Sequence, residues 1–281
     1  MSFAINTNVT AMNVLYNMNI NQSNLNKTAN ELSSGYKINS AADDAAGLAI
    51  ATKMGNQING LNRASQNAQD GLSMLQTMEG GISSIQDMLG RMRTLSLEAA
   101  NGTTTSSDRN QIVQELTQLQ SEITRTASTV QFNNQTLLSG LASGGINFQV
   151  GANAGQTIQF KTASANVTAS GLAIHGSAIN ALATASGTTY AQSLVTKLDT
   201  ALAHVSNIRS NVGAVEDRLN FAINNVNNES TNLATAKSGI MDTNMASAMT
   251  SFTKNQILTN AGISMLAQAN QMPGMVLKLL G

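Results

Sequence analysis

Hydrophobic residues in this chain recur every three or four positions over unusually long distances. Between Tyr190 and Ser238 the apolar positions alternate steps of four and three, no proline occurs, and Gly213 is the only glycine. An average step of 3.5 residues is typical of helices that pack in long bundles. The pattern therefore predicts one helix over 190–238, at about 1.5 Å per residue some 70 Å long.

Two further amphipathic segments lie in the N-terminal half. One apolar seam runs from Met54 to Ala99 and ends at the helix-breaking pair Asn101-Gly102. Another runs from Ile112 to Val130, and Ser107 is the predicted N-cap of its helix. Helices that each carry an apolar stripe bury it against one another, so the pattern predicts a helical bundle.

The period changes from helical to alternating in the middle of the chain. Apolar and polar residues alternate over 146–150 and again over 158–160, and Gly151–Gly155 supplies a turn between them. This arrangement predicts a β-hairpin. The stretch 162–189 is rich in Ser, Thr, Ala and Gly, and we predict a small exposed elaboration or loop there.

Both ends of the chain carry heptad seams with few charges and many asparagines, nine of them in the first thirty residues. Asparagine is a poor helix former, so such helices need partners. We expect the two ends to pair, and we hypothesise that they are disordered in a free subunit and fold when several subunits associate. The predicted assembly core consists of Leu15, Met18, Leu25, Leu32, Met249, Phe252, Leu258 and Met265. The predicted fold is mainly α, a long coiled-coil-like bundle formed by paired N- and C-terminal segments, with a small β-hairpin region.

The composition of the chain argues against several classes of function. The 281 residues include 15 basic and 15 acidic side chains, so no basic surface for nucleic acid is expected. No apolar run approaches the roughly 18 residues of a membrane span. Cysteine is absent, which removes thiol chemistry. The single proline, Pro273, is predicted to end the last helix.

Titratable groups that could support catalysis are scarce. The two histidines, His175 and His204, are far apart in sequence and match no metal-ligand spacing. The pair Asp43-Asp44 precedes an apolar run, where capping of a helix or an intersubunit contact is a better interpretation than acid–base catalysis. The chain is therefore predicted not to be an enzyme and to use no metal or cofactor.

One segment resembles the signature of a known family. Residues 32–50 include Ser33, Gly35, Asn39, Asp43, Asp44 and Gly47, and they resemble the N-terminal signature of bacterial flagellin. Similar motifs occur at 67–71, 131–133, 148–153 and 266–271, so the resemblance covers about 1–140 and 190–281. The middle of the chain is shorter than in many flagellins.

The resemblance implies a domain organisation. Residues 1–42 and 240–281 would form an inner core of paired terminal helices. Residues 43–140 and 190–239 would form an outer helical domain, and 141–189 would form the β-hairpin and a short variable surface segment.

The resemblance also implies a function. The chain would be a structural subunit that is exported unfolded by a type III route, is assembled at the distal tip, and polymerises into the extracellular flagellar filament for swimming. Implied partners are many copies of itself, an export chaperone, and filament cap and junction proteins, without nucleic acid or membrane insertion. The alternative is a hook–filament junction protein of the flagellum.

A further implication is recognition by the vertebrate Toll-like receptor for flagellin. The residues at the matching positions are Arg91, Leu95 and Glu115, whereas Gly90 and Thr94 depart from the usual pattern. The alternative interpretation is structural, because Leu95 lies in an apolar seam and Arg91 and Glu115 could form an ordinary ion pair.

Overall fold

A computed structural model describes residues 7–140, 145–161, 166–184 and 187–280. Its helices are α1 (Val9–Ser34), α2 (Ala45–Ala99), α3 (Ser106–Thr129), α4 (Gly176–Asn180), α5 (Gly187–Met241) and α6 (Met245–Leu280). Its strands form two antiparallel hairpins, β1 (Gln131–Phe132) with β2 (Gln135–Thr136) and β3 (Ile146–Gln149) with β4 (Thr157–Phe160). The predicted fold class, mainly α with a small β-hairpin region, is confirmed.

The chain divides into two compact units. Residues 1–57 with 231–281 form what we call the terminal unit, and residues 58–230 form the central unit. The terminal unit contains the pair α1 and α6, and the central unit contains α3, α4 and both hairpins. Helices α2 and α5 contribute residues to both units.

The core of the central unit is formed by the apolar seams of its long helices. Helix α5 buries the positions that the sequence pattern selects, and α2 contributes a continuous row of fully buried side chains. Each such side chain stabilises the fold by about 1.5–3 kcal/mol. The row in α2 comprises Leu75, Met78, Ile82, Ile85, Leu89 and Met92.

The predicted hairpin forms, with Ile146 opposite Phe160. It packs against α2 at Gly71, where an added Cβ would lie 2.7 Å from the Phe148 ring. Only glycine lets the ring approach the helix this closely. The shorter hairpin is not foreseen by the alternation of apolar residues, but its turn carries Asn133 and Asn134 at positive φ, which asparagine tolerates better than most residues.

Three expectations are corrected. Helix α3 is capped by Thr105 rather than Ser107, because Thr105 and Asp108 form a reciprocal capping box. The stretch 162–189 is not simply exposed: apolar side chains within 166–184 are buried in the core of the central unit, and 187–189 begin α5. Helix α6 continues past Pro273 to Leu280. The buried residues of the second case are Val167, Leu172, Ile174, Ile179 and Leu182.

Within the described residues, no helix has the combination of length and hydropathy that a membrane span requires.

Candidate interaction surface

Helices α1 and α6 pair antiparallel in the terminal unit. The Cβ that Gly262 lacks would lie 3.7 Å from Met18 Cγ, and the Asn8 side chain reaches the Ala269 carbonyl. Most residues that are buried or half-buried repeat with heptad spacing on both helices. In α1 they are Ala11, Val14, Met18, Asn21, Leu25, Thr28 and Leu32, and in α6 they are Ala248, Phe252, Asn255, Thr259, Gly262, Leu266 and Ala269; the half-buried Ala29, Glu31 and Ser251 lie next to these positions.

This seam buries little apolar surface. The buried apolar residues of the terminal unit, among those described, are Ala11, Ile38, Ala51, Ala248 and Ala269. Alanine contributes far less hydrophobic stabilisation than the Leu, Ile and Met side chains of the central unit. The pair therefore depends on further contacts for most of its stability.

Large apolar residues flank the seam of α6 on both sides. Leu258, Met265 and Met272 follow one another at intervals of seven and are 40, 58 and 39% exposed. On the other side of the seam, Met249 is 51% and Ile263 55% exposed. A helix with apolar flanks on both sides of its seam can contact more than one neighbour.

Helix α1 also presents large apolar residues to solvent. They are Val9, Met12, Leu15, Tyr16 and Ile20, each at least 41% exposed. Together with the α6 flanks they form what we call the terminal apolar surface.

The predicted assembly-core residues divide between the seam and the terminal apolar surface. Those that lie in the α1–α6 seam and are half-buried are Met18, Leu25, Leu32 and Phe252. Those that lie beside it and are exposed are Leu15, Met249, Leu258 and Met265. The sequence pattern did not distinguish the two groups, because small and polar residues occupy much of the seam.

A structured turn connects α1 to α2 and is hydrogen-bonded to the junction between α5 and α6. Gly35 ends α1 with φ at +74°, a conformation that favours glycine, and its N–H donates to the Glu31 carbonyl. The Lys37 N–H donates to the Met241 carbonyl at 2.7 Å, and the Thr243 N–H donates to the Gly35 carbonyl at 2.9 Å. The turn therefore fixes the end of the pair at which α1 ends and α6 begins.

Asp43 organises this turn. Its carboxylate accepts hydrogen bonds from the Ser40 hydroxyl and from the Ser40 and Asn39 backbone amides, and it lies 3.4 Å from the Lys27 ammonium. These interactions, the Ser40 hydroxyl foremost, hold the pKa of Asp43 below its ordinary value of 3.8. Asp43 is thus a structural anion, not an acid–base catalyst.

The other signature residues also have structural positions. Asp44 Oδ1 accepts a hydrogen bond of 2.8 Å from the Gly47 amide and caps the first turn of α2. A Cβ on Gly47 would collide with the Asp44 carboxylate and lie 2.9 Å from Ile38 Cδ1, so glycine is needed there. Asn39 donates its side-chain amide to the Tyr36 carbonyl, and Ser33 is exposed in the last turn of α1.

Asn8, which the sequence pattern does not single out, links α1 to α6 at the end of the pair where α1 begins. Asn8 caps α1 by accepting from the Ala11 amide, and its Nδ2 donates to the Ala269 carbonyl at 2.8 Å. In a helix that carbonyl would accept from the amide of residue 273, but proline has no N–H. Asn8 therefore satisfies the carbonyl that Pro273 leaves without its helical partner. Asn8 and Pro273 lie far apart in the sequence, so no local motif indicates that they are related.

The predicted receptor residues lie in the central unit. Arg91 Nη2 on α2 is 2.8 Å from Glu115 Oε1 on α3, and both side chains are about half exposed. Leu95 is only 3% exposed and belongs to the core. The structure thus brings Arg91 and Glu115 together on the surface and places Leu95 beneath it.

Glu216 on α5 is an unusual carboxyl in the same unit. Its Oε1 is buried without a hydrogen-bond partner. Burial raises the pKa of Glu216, and the nearby carboxylates of Glu79 and Asp217 raise it further. Among the described residues, no group of three His, Cys, Asp or Glu side chains could hold a metal ion.

The seam, the turn and the exposed flanks together define an α-helical subunit built for assembly with other chains. The model of the bacterial flagellin N-terminal helical region matches residues 5–143, and that of the C-terminal helical region matches residues 195–280. The chain belongs to the bacterial flagellin family. Because this family is one of structural filament proteins, the prediction that the chain is not an enzyme is confirmed.

Relatives match almost the whole chain. Flagellin of Halalkalibacterium halodurans is 44% identical over 278 residues, which cover 98% of this chain and 99% of the relative. The flagellar filament 30.7 kDa core protein of Treponema maltophilum and flagellin of Bacillus subtilis are each 40% identical, with the same coverage.

Among solved structures, a putative flagellar hook-associated protein from Vibrio parahaemolyticus has a TM-score of 0.60 at 17% identity. The match covers 71% of this chain and all of that one, and it shows a shared fold.

Proposed function

We propose that this chain polymerises into a bacterial flagellar filament by burying its terminal apolar surface against copies of itself. The observation that carries the proposal is the pair of apolar flanks beside the α6 seam. Each flank can contact a different neighbouring copy. When such contacts do not close into a ring, each added copy leaves a free flank for the next one, and the assembly grows as a filament.

We also propose the domain organisation in the filament that the family resemblance implies. We place residues 1–42 and 240–281 in an inner core, and 43–140 and 190–239 in an outer helical domain. We assign 141–189 to the hairpin and a short variable segment on the outer side of the subunit, whose apolar side chains within 166–184 pack into the central core. The near-absence of charge on α1 and α6 supports their placement in the interior, where unpaired charges would be costly.

Folding of the terminal unit is coupled to assembly in this proposal. The seam, whose fully buried residues are alanines and whose larger side chains are only half-buried, supplies too little burial to offset the entropy of ordering two long helices. A subunit with unfolded ends suits export as an unfolded chain, with an export chaperone, a cap and junction proteins as partners, and assembly at the distal tip for swimming. Secretion into the medium by a flagellated host, compared with an export-deficient host, tests this route.

Seeded polymerisation tests the central proposal. We expect purified chain to extend filament seeds, and Leu258→Glu with Met265→Glu to abolish extension because each puts a carboxylate into the buried surface. Ser193→Glu, which adds a charge at an exposed position of α5, is the matched control. Normal extension by the double variant would refute the proposal. Addition to seed ends without further growth would favour the hook–filament junction alternative.

We also propose that the exposed Arg91–Glu115 pair contributes to recognition by the vertebrate Toll-like receptor for flagellin. Burial of Leu95 gives that residue a packing role beneath the pair. Arg91→Ala should lower receptor signalling, whereas Arg93→Ala, which removes the neighbouring ion pair to Asp199, should not. Equal signalling by both variants would contradict the proposal.

A further inference from the structure

Among the described methionines, five are exposed, three are buried, and Met18, Met54, Met88 and Met241 are half-buried. Met12, Met245, Met249, Met265 and Met272 are 39–61% exposed, and all lie in the terminal unit. We call these five the surface methionines. By contrast, Met74, Met78 and Met92 of the central unit are at most 5% exposed.

We propose that the surface methionines are a two-electron oxidation site of the free subunit, and that their oxidation by peroxides blocks assembly. The inference rests on the proposed function, because all of these methionines except Met245 belong to the terminal apolar surface, and oxidation would act on that surface. Exposure determines which thioethers a dissolved oxidant can reach, and these five are accessible in the folded terminal unit as well as in a free subunit whose ends are unfolded.

The composition of the chain directs the oxidant to methionine. The sequence contains no cysteine and no tryptophan, so no thiol or indole competes for a two-electron oxidant. Met249 is also readily approached, since it lines an open, mostly apolar groove of about 550 Å³ on α6 together with Ile257 and Leu258.

The chemistry is a simple oxygen transfer. A lone pair of the thioether sulfur attacks one oxygen of hydrogen peroxide, the S–O bond forms and the O–O bond breaks. A proton moves from the attacked oxygen to the departing hydroxide, which leaves as water. The sulfur is oxidised by two electrons to a sulfoxide, and the peroxide is reduced by the same two electrons.

The sulfoxide changes what the surface can bury. An apolar side chain becomes a polar one whose oxygen needs a hydrogen-bond donor. Copies of this chain would bring mainly apolar flanks to the contact, so the oxygen would lose its water partners on assembly. Oxidation of the free subunit therefore disfavours its incorporation, and assembly in turn shields the sulfurs from oxidant.

Peroxide treatment of the full-length monomer, followed by peptide mass mapping and seeded polymerisation, tests the proposal. We expect the surface methionines to oxidise before Met78 and Met92. The subunit concentration needed for growth should rise by about tenfold or more, as expected when a polar group is buried unpaired. Methionine sulfoxide reductases should restore growth, and assembled filaments should oxidise more slowly at the same positions.

A variant with all five surface methionines replaced by leucine provides the comparison. The subunit concentration that this variant needs for growth should be the same with and without peroxide treatment. Unaltered growth of oxidised wild-type chain, or earlier oxidation of Met78 and Met92, would overturn the proposal. Failure of untreated wild-type chain to grow on seeds would instead refute the proposed function on which it rests.

Discussion

The hydrogen bond from Asn8 to the Ala269 carbonyl yields a sharp prediction. Asn8→Ser keeps an oxygen that can cap α1, because serine is a good N-cap, but it removes the amide that reaches α6. Pro273→Ala supplies an N–H at position 273, which can bond the same carbonyl within α6. The two substitutions therefore form a double-mutant cycle around one acceptor.

The magnitude follows from a single hydrogen bond in a half-buried location. Such a bond contributes a net stabilisation of about 1 kcal/mol. If the α1–α6 pair forms as subunits add to the filament, that loss appears in the subunit concentration at which growth and loss balance. A change of about 1 kcal/mol corresponds to about a fivefold change in this critical concentration.

Seeded polymerisation at graded subunit concentrations measures the cycle. Asn8→Ser should raise the critical concentration about fivefold in the wild-type background and have little effect in the Pro273→Ala background, where the carbonyl already has a partner. An equal effect in both backgrounds would show that Asn8 does not act through the carbonyl that Pro273 leaves unpaired, and would refute the reasoning.

Three further predictions concern individual side chains. Gly71→Ala should lower the free energy of unfolding of the central unit, measured in urea, by about 1–3 kcal/mol, because the added methyl group would overlap the Phe148 ring. As a control, Gly80→Ala should raise it by about 0.5–1 kcal/mol, since a Cβ there meets nothing within 4 Å. A stabilising Gly71→Ala would contradict the packing. Glu216→Gln should raise the midpoint of urea unfolding at pH 7, since a carboxyl with a raised pKa disfavours the fold once it is ionised. The difference between variant and wild-type midpoints should vanish as pH falls well below 4.5. A lower midpoint for the variant at pH 7 would count against the burial of that charge. In assembled filament, where the terminal unit is folded, solid-state NMR of the Asp43 carboxyl carbon should give a titration midpoint below 3.8. The stabilisation from Asp43 is therefore present above that pH and is lost as pH falls through the folded pKa. A midpoint at or above 3.8 would contradict the hydrogen-bonded turn.

The sequence predicted the central unit well where hydrophobic periodicity is strong. The seams of α2 and α5 consist of large aliphatic residues at heptad spacing, and the structure buries them. The hairpin at 146–160 was equally clear, because alternating residues and a glycine-rich turn favour the same structure.

The terminal unit was harder to predict because its pairing seam mixes apolar residues with small and polar ones. Asn21, Asn255 and Thr259 occupy seam positions, while the larger Leu15 and Met249 lie beside them. A pattern based on hydropathy selects the large residues and thus mixes the seam with the flanks. The capping box of α3 and the contact between Asn8 and Ala269 depend on specific hydrogen bonds, which hydropathy does not encode.

The buried part of 166–184 was missed for a different reason. Its apolar residues follow neither a helical nor an alternating period, and Ser, Thr and Ala separate them. Tertiary packing against α3 determines their burial, with Gln120 donating to the Ile174 carbonyl at 2.9 Å. Local composition alone predicts an exposed loop for such a stretch.

Amide hydrogen exchange, compared between dilute monomer and assembled filament, tests the central claim most directly. If the terminal unit folds by burying its apolar surface against neighbouring copies, the amides of α1 and α6 exchange rapidly in the monomer and are protected in the filament. The amides of α2 and α5 in the central unit provide the internal reference and are protected in both states. Strong protection of α1 and α6 in dilute monomer would contradict the account.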